Sequence, residues 1–579
     1  MNNKNKRISV LLLCLTVLVL GTYVATGQGI NIATGGSIDA TGASSIFIQN
    51  GSFVNDGTFT ASSSNTVILS GTTVQAISGS SATTFYNLTI DSSVGDSLKS
   101  SALTTVSNAL TINSGKKLII PSGKQLTVSG NITNSAGASG LVIKSKVTGS
   151  GSLISTSSVA ATVEQYQTDS SYIYHMVSAP VTSATAAVFK FTGVQTYLYS
   201  YNPAVPAWAN ITTSATALNV GQGYLVNYHN MAVDRTVTYS GTLNADNISP
   251  ALSTTSGKFN LVGNPYPCAI NWDGSGWTKT GISGTYYLWL PAKGSYGTYA
   301  TSGAVSVNGL KNIIPSGQGF FVFSTAGSPV LTIGNAAKIQ NSSILKSGNI
   351  VPPMVKLHVS NNANTFSDET VIMFSPQATT GYDADLDAIK MLTLDTASSQ
   401  IYTLGDNKNL VINAMPVRYS DSIPLFFKCN KAATYTIELI ENTWSDSVTL
   451  TDLISNKTTL LSGNPYIFSA LKTDTSRRFV INHKKSSSSP TGIADIGKST
   501  SDVQIYSDGR KIYLKNKLGR ELNGEMVITG ITGAQVYVEK NIWLVSDVVR
   551  EVINIPGIYI VTFKAEHRNY IGKVIVSNF

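Results

Sequence analysis

Short runs in which apolar and polar residues alternate, cut apart by Gly, Asn, Ser and Pro, recur along almost the whole chain, and this period of two predicts strands. The most regular are Leu110-Thr111-Ile112, Leu118-Ile119-Ile120 and Leu126-Thr127-Val128, eight residues apart with Ser114-Gly115 and Ser122-Gly123 in the gaps. A strand of three residues buries nothing alone, whereas the same strand stacked on neighbouring coils contributes to one continuous core. Residues 28–160 are therefore expected to form a β-helix-like strand repeat. Ahead of it, Lys4, Lys6 and Arg7 precede an uncharged apolar run from Ile8 to Leu20 and then small residues up to Gly27, which is the order of a secretory signal peptide over 1–27. At 13 residues the run is short for a bilayer span.

Residues 161–350 contain an internal repeat, with copies at about 161–245 and 246–350. Tyr174-His175-Met176-Val177 matches Phe259-Asn260-Leu261-Val262; Tyr197-Leu198-Tyr199 matches Tyr287-Leu288-Trp289; Gly221-Gln222-Gly223-Tyr224-Leu225-Val226 matches Gly317-Gln318-Gly319-Phe320-Phe321-Val322. Two similar β-modules follow, and Gly-Gln-Gly is expected to permit close backbone approach before a buried strand. Residues 351–485 carry further alternating runs and predict an antiparallel β-sandwich. The Ser-rich stretch 486–502 is too polar and breaker-rich to pack and is expected to be a linker. In 503–579, six alternating runs separated by turn signals such as Asn523-Gly524 and Pro556-Gly557 predict a small Ig-like sandwich.

Gly533-Ala534-Gln535-Val536-Tyr537, then Pro556-Gly557-Ile558-Tyr559-Ile560-Val561, then Gly572-Lys573-Val574-Ile575-Val576 give this last segment an order that resembles the C-terminal sorting domain of type IX secretion substrates in Bacteroidetes. The resemblance covers about the last 75 residues, with Gly557, Tyr559, Gly572 and Lys573 as its motif positions. Its one departure is the apolar run Ile542-Trp543-Leu544-Val545. It implies export to the outer cell surface or the medium, with the secretion machinery and its sortase as partners and a cut at about 484–502. The middle repeat, with Asn260-Leu261-Val262-Gly263-Asn264-Pro265-Tyr266-Pro267 and then Gly317-Gln318-Gly319-Phe320-Phe321-Val322, is similar to an arrangement in large secreted surface proteins of the same phylum whose activity is undetermined.

The bulk numbers narrow the function. Only 12% of the 579 residues are charged and 49 are Gly, which suits a β-rich exterior protein. The formal charge of +9 includes three positives of the leader and no long basic run, so nucleic acid is not an expected partner. Cys268 and Cys429 fall in different segments and are expected as buried free thiols, with a bridge as the alternative. None of the five His carries a His-Glu-x-x-His spacing, and no Gly-x-Ser-x-Gly elbow occurs. No catalytic residue is assigned.

Two places could bind. The aromatic-dense repeat includes a Gly-rich loop, Trp272-Asp273-Gly274-Ser275-Gly276-Trp277, whose rings are candidates for a ligand platform together with Tyr296. Asp383, Asp385 and Asp387 alternate as in a calcium loop, but Ala388 and Leu394 stand where an EF-hand needs Gly and Glu, so an EF-hand is excluded and only another kind of Ca²⁺ site remains; no other cofactor is expected. The chain is thus read as all-β: a solenoid, sandwich modules and a terminal sandwich. The expected role is an adhesin or structural surface protein that binds glycans or matrix proteins without catalysis. The alternative is an extracellular glycan-degrading enzyme whose acid pair comes from distant strands.

Overall fold

In the computed structural model the described residues are 16–19, 22–27, 29–40, 42–62, 64–167, 173–229, 231, 233–340, 352–393, 397–417, 422–444, 447–472, 477–484, 503–518, 520–530, 533–551, 553, 555–565 and 568–577. The expected linker lies outside them. Two compact units result, Met1–Lys484 and Lys485–Phe579.

The first unit begins as a parallel β-solenoid of about six turns. Ile46, Val67, Leu88, Leu110 and Ile132 occupy one column of consecutive coils, in register and about 21–22 residues apart. All five are buried. A second column runs Ile30, Phe53, Ile77 and Leu98, and Phe53, Phe59 and Phe85 fill the interior with rings 5.0–5.6 Å apart. The eight-residue spacing is therefore the step from one face of a coil to the next, and the coil is the longer repeat. Thr104–Ile112 turns a corner within one strand: its start pairs with Gln125–Val128 and its end with Asn131–Asn134. Two segments of the expected leader, Thr16–Val19 and Thr22–Thr26, pair in parallel with Ser37–Ala40 and Ser45–Gln49.

The parallel ladder ends at Ala160–Gln167, which takes Arg235–Thr242 along its other edge in antiparallel register. The solenoid core runs on into the first repeat copy without a break, through Val163, Val177, Leu198, Val226, Tyr228 and Tyr239. The two copies have the same strand order. In the first, Tyr174–Val177, Tyr224–His229, Gln195–Asn202 and Ala207–Asn210 lie side by side; in the second, Phe259–Gly263, Gly319–Ser324, Ile282–Leu290 and Ser295–Ala300 do, with Val305–Val307 added. Each is wholly antiparallel.

The copies dock reciprocally, which accounts for the Gly-Gln-Gly motif. In the first copy, the Gly223 amide donates to Leu261 O and Gly221 O accepts from the Gly263 amide; in the second, Gly317 O accepts from the Ser178 amide at 2.7 Å and the Gln318 side chain donates to Met176 O at 2.6 Å. A Cβ at Gly223 would stand 2.4 Å from Val262 O, and one at Gly263 would stand 2.2 Å from Ser178 Cβ. Glycine is required because each copy's backbone lies directly on the other's.

Residues 352–484 complete the unit. The expectation of a purely antiparallel sandwich is corrected here: Ser367–Ser375 and Lys408–Pro416 pair in parallel. The reason is burial on both faces. Ile372 and Phe374 enter the sandwich's own core, whereas Val371 and Met373 enter a second core shared with Met176, Leu225, Leu261 and Phe321 of the repeat. Strands covered on both sides read as near-continuous apolar runs and tolerate parallel pairing. Cys268 is a buried free thiol, pushed by burial up to about 12, and Cys429 is buried with its Sγ donating to Leu471 O at 3.2 Å.

The second unit is a two-sheet sandwich. Val503–Asp508, Lys511–Asn516 and Asp547–Arg550 form one sheet, and Gln535–Leu544, Leu522–Gly530, Gly557–Ala565 and Arg568–Val576 the other. The apolar run at 542–545 belongs to it by ordinary alternation: Ile542 and Leu544 are buried, and Trp543 and Val545 face outward.

Candidate functional site: an aromatic cleft between the repeat copies

The two repeat sheets each bury one face elsewhere. Val226 and Tyr228 point toward the solenoid core, and Val262, Tyr286, Phe320 and Val322 toward a core of the second copy. Alternation along the same strands turns Tyr199, Tyr201 and Leu225, with Phe259 and Phe321, to the opposite side. There a cleft of about 690 Å³ opens between the copies, closed on a third side by Lys390, Met391, Leu392 and Thr393 of the sandwich.

The lining follows the repeat. Tyr174 and Phe259 are equivalent by strand register, as are Tyr201 and Trp289, and Leu225 and Phe321, and every one of these six borders the cleft. Tyr201 and Trp208 of the first copy reach Phe321 of the second, with ring centroids 4.9 and 6.1 Å apart. On the second copy Trp289 and Tyr296 are cross-strand partners with rings 5.2 Å apart. Burial raises the phenols of Tyr201 and Tyr296 above their ordinary range, so both stay neutral at physiological pH. Tyr174 is 41% exposed and marks the mouth.

One polar node holds the wall. Asp368 is fully buried; one carboxylate oxygen accepts from Lys390 Nζ at 2.5 Å and from the Ile401 amide at 3.0 Å, and the other accepts from the Asn308 side chain at 3.2 Å. That Asn308 amide group also donates to Tyr296 O at 2.9 Å, while the Asn308 backbone N–H donates to Glu369 at 2.7 Å. Asn308 has φ +55°, a left-handed conformation that Asn adopts more easily than most residues. Lys390 and Tyr296, from different segments, are thus fixed to the same anchor.

Of the expected platform residues only Tyr296 lies in the cleft. Trp272 is a correction: it is 0% exposed, its indole N–H donates to Gly284 O at 3.0 Å, and Lys279 Nζ sits 3.6 Å from its ring centre. Trp277 packs edge-on against it at 4.8 Å and donates to Asn271 O at 2.6 Å. The glycines of this loop allow it to fold in, and Asp273 ties it down by accepting from Tyr299, Thr301 and Asn312. Trp272 is a core residue with no open face for a ligand, and Trp277 is a half-buried ring packed against it.

The acidic run is a set of turn caps. Asp383 accepts from the Thr379 amide and hydroxyl, and Asp387 accepts from the Asp383 and Ala414 amides at 2.7 and 2.6 Å. Desolvation pushes the Asp387 carboxyl up to about 7. Asp385 sits in the same turn and forms no convergent set with them: among the described residues no three His, Cys, Asp or Glu side chains are grouped as a metal site. In the C-terminal unit, Tyr559 is buried and donates to Ile555 O at 2.8 Å, Lys573 pairs with Ile560 across the sheet, and a Cβ at Gly572 would meet Ile505 Cβ at 2.6 Å. Gly557 lies against the Tyr559 ring. Three of these motif positions thus pack closely within the sandwich, and Lys573 holds a place in the strand ladder.

Most of the cleft escapes sequence reasoning because its residues come from three segments up to about 220 positions apart. The signal that finds it is the repeat itself: positions aromatic or large in both copies on the same strand face point to one place. A search of curated proteins returns no match. A family model described as a domain of unknown function (DUF8693) matches residues 78–483, about seven-tenths of the chain and every residue that lines the cleft, and the chain belongs to that family.

Proposed function

We propose that this is a non-catalytic receptor of the outer cell surface, an adhesin or surface-layer component, which takes its ligand in the aromatic cleft. The observation that carries the reading is the composition of that cleft. Eight of its fourteen lining residues are aromatic and none is Asp or Glu. Hydrolysis of a glycoside needs a pair of carboxylates flanking the bond, and neither this cavity nor the smaller one beside Cys268 offers one. Concave, largely apolar sites with a few oriented polar groups suit binding. Export by type IX secretion, with its sortase acting near 484–502, follows from the sorting-domain resemblance of the last unit and the leader-like residues 1–27, and belongs to the same proposal.

The full chain incubated with an array of host glycans and matrix proteins tests it. Saturable binding with no cleavage of the captured molecule is expected. Release of new reducing ends or peptides would overturn the non-catalytic reading, and a blank array would overturn the receptor.

A further inference from the structure

We infer that the cleft takes a neutral oligosaccharide of β-gluco configuration, held with its sugar rings between the two repeat copies; the inference rests on the receptor reading above. The first ground is shape. Because Tyr201 and Trp208 meet Phe321 across the gap, the sheets converge, and the cleft is a slot with an aromatic side on each copy. A ligand in such a slot must offer an apolar face to each side. A pyranose whose substituents are all equatorial presents axial C–H groups on both faces, whereas a single axial hydroxyl makes one face polar. The equivalence of Tyr201 with Trp289 and of Tyr174 with Phe259 places similar surfaces on the two sides.

The second ground is hydrogen bonding. Among the described residues the hydroxyls of Tyr174, Tyr199, Tyr201 and Tyr296 make no hydrogen bond within the chain. Neutral phenols both donate and accept, and they ring an otherwise apolar slot, which matches equatorial sugar hydroxyls projecting around an apolar ring. The third ground is charge. The one charged group in the lining, Lys390, is 3% exposed and paired with Asp368. A cation would meet no acid there, and an anion would have to break a buried ion pair, so a neutral ligand fits.

The test is a fluorescence titration of the full chain with cellohexaose, mannohexaose (axial at C2) and the neutral apolar dye N-phenyl-1-naphthylamine, read at the tryptophans that line the cleft. A saturable change with cellohexaose is expected. It should weaken about tenfold or more with mannohexaose, the scale on which a buried polar mismatch discriminates. Trp208→Phe and Trp289→Phe should remove most of the signal. Tyr199→Phe and Tyr296→Phe, which delete only a hydroxyl and keep the packing, should each lower affinity about threefold to tenfold. Equal response to both sugars overturns the two-faced stacking. Dye binding that Trp289→Phe alters, with no response to millimolar cellohexaose, overturns the sugar assignment and leaves the receptor standing. No response to dye or sugar overturns both.

Discussion

Replacing Asp368 by Asn tests the anchor of the cleft. In the native chain the carboxylate serves Lys390 Nζ, the Ile401 amide and the Asn308 side chain, and it is 0% exposed. Asparagine keeps one acceptor oxygen, enough for one or two of these donors, and turns an N–H₂ toward a lysine that is itself 3% exposed. Breaking a buried pair by removing one partner costs about 3–5 kcal/mol, because the other charge stays buried and unmatched. If the loss is local, the Ile401 amide, which donates to Asp368 directly, should exchange hydrogen roughly 10² to 10³·⁷ times faster, each tenfold corresponding to about 1.4 kcal/mol, and the Asn308 amide, held by Glu369 beside the node, should exchange faster with it. Hydrogen exchange read by mass spectrometry on peptides covering 306–310 and 398–404 makes the measurement, and the C-terminal unit serves as the internal control. Adding Lys390→Met removes the stranded charge and should recover most of the protection, since apolar replacement of a buried pair is often near neutral. Exchange in Asp368→Asn within tenfold of the native chain, or a double variant no better protected than the single one, would refute the anchoring role.

Other outcomes follow from the same contacts. Gly263→Ala puts a methyl 2.2 Å from Ser178 Cβ in the reciprocal junction and should cost about 1–3 kcal/mol of stability, seen as a lower thermal midpoint; Gly257→Ala, with open space around its Cβ position, controls for composition, its own cost being that of its left-handed φ. Trp272→Ala should destabilise by about 3–5 kcal/mol as a core truncation, and Trp272→Phe should leave ligand affinity unchanged, because its ring is not in the cleft. Asp96, buried in the solenoid, has its carboxyl pushed up to about 6 by desolvation. An acid with a raised native value favours the folded state when protonated, so this contribution is present below about pH 4, is lost as pH rises through about 6, and is flat above. The difference is up to about 3 kcal/mol, and melts of Asp96→Asn against the native chain at pH 4 and pH 8 should show it vanish in the variant.

The all-β plan was legible because every element is short, alternating and bounded by turn residues, and because the repeat places the same aromatic and Gly-Gln-Gly patterns in the same order twice. Coil length was not legible, since strands such as Thr104–Ile112 bend across a corner and pair with two partners. The role of Gly-Gln-Gly as a close-approach motif could be read, but not what it approaches: its partner is the other copy, and no local pattern names it. Trp272 misled for a specific reason. A Gly-rich stretch usually signals an exposed loop, yet here Lys279, Gly284 and Asn271 supply partners that let Trp272 go inside and hold Trp277 half-buried against it. The parallel pair in 352–484 was hidden likewise, because only its two-sided burial separates it from an antiparallel neighbour.

The most direct test of the cleft as a receptor is to probe one array of glycans and matrix proteins with three forms of the full chain: native, Trp208→Ala with Trp289→Ala, and Trp272→Phe. The account predicts saturable binding by the native and Trp272→Phe forms and its loss in the cleft pair, with the thermal midpoint of the C-terminal unit unmoved. Binding kept by the cleft pair, or lost only in Trp272→Phe, would contradict it.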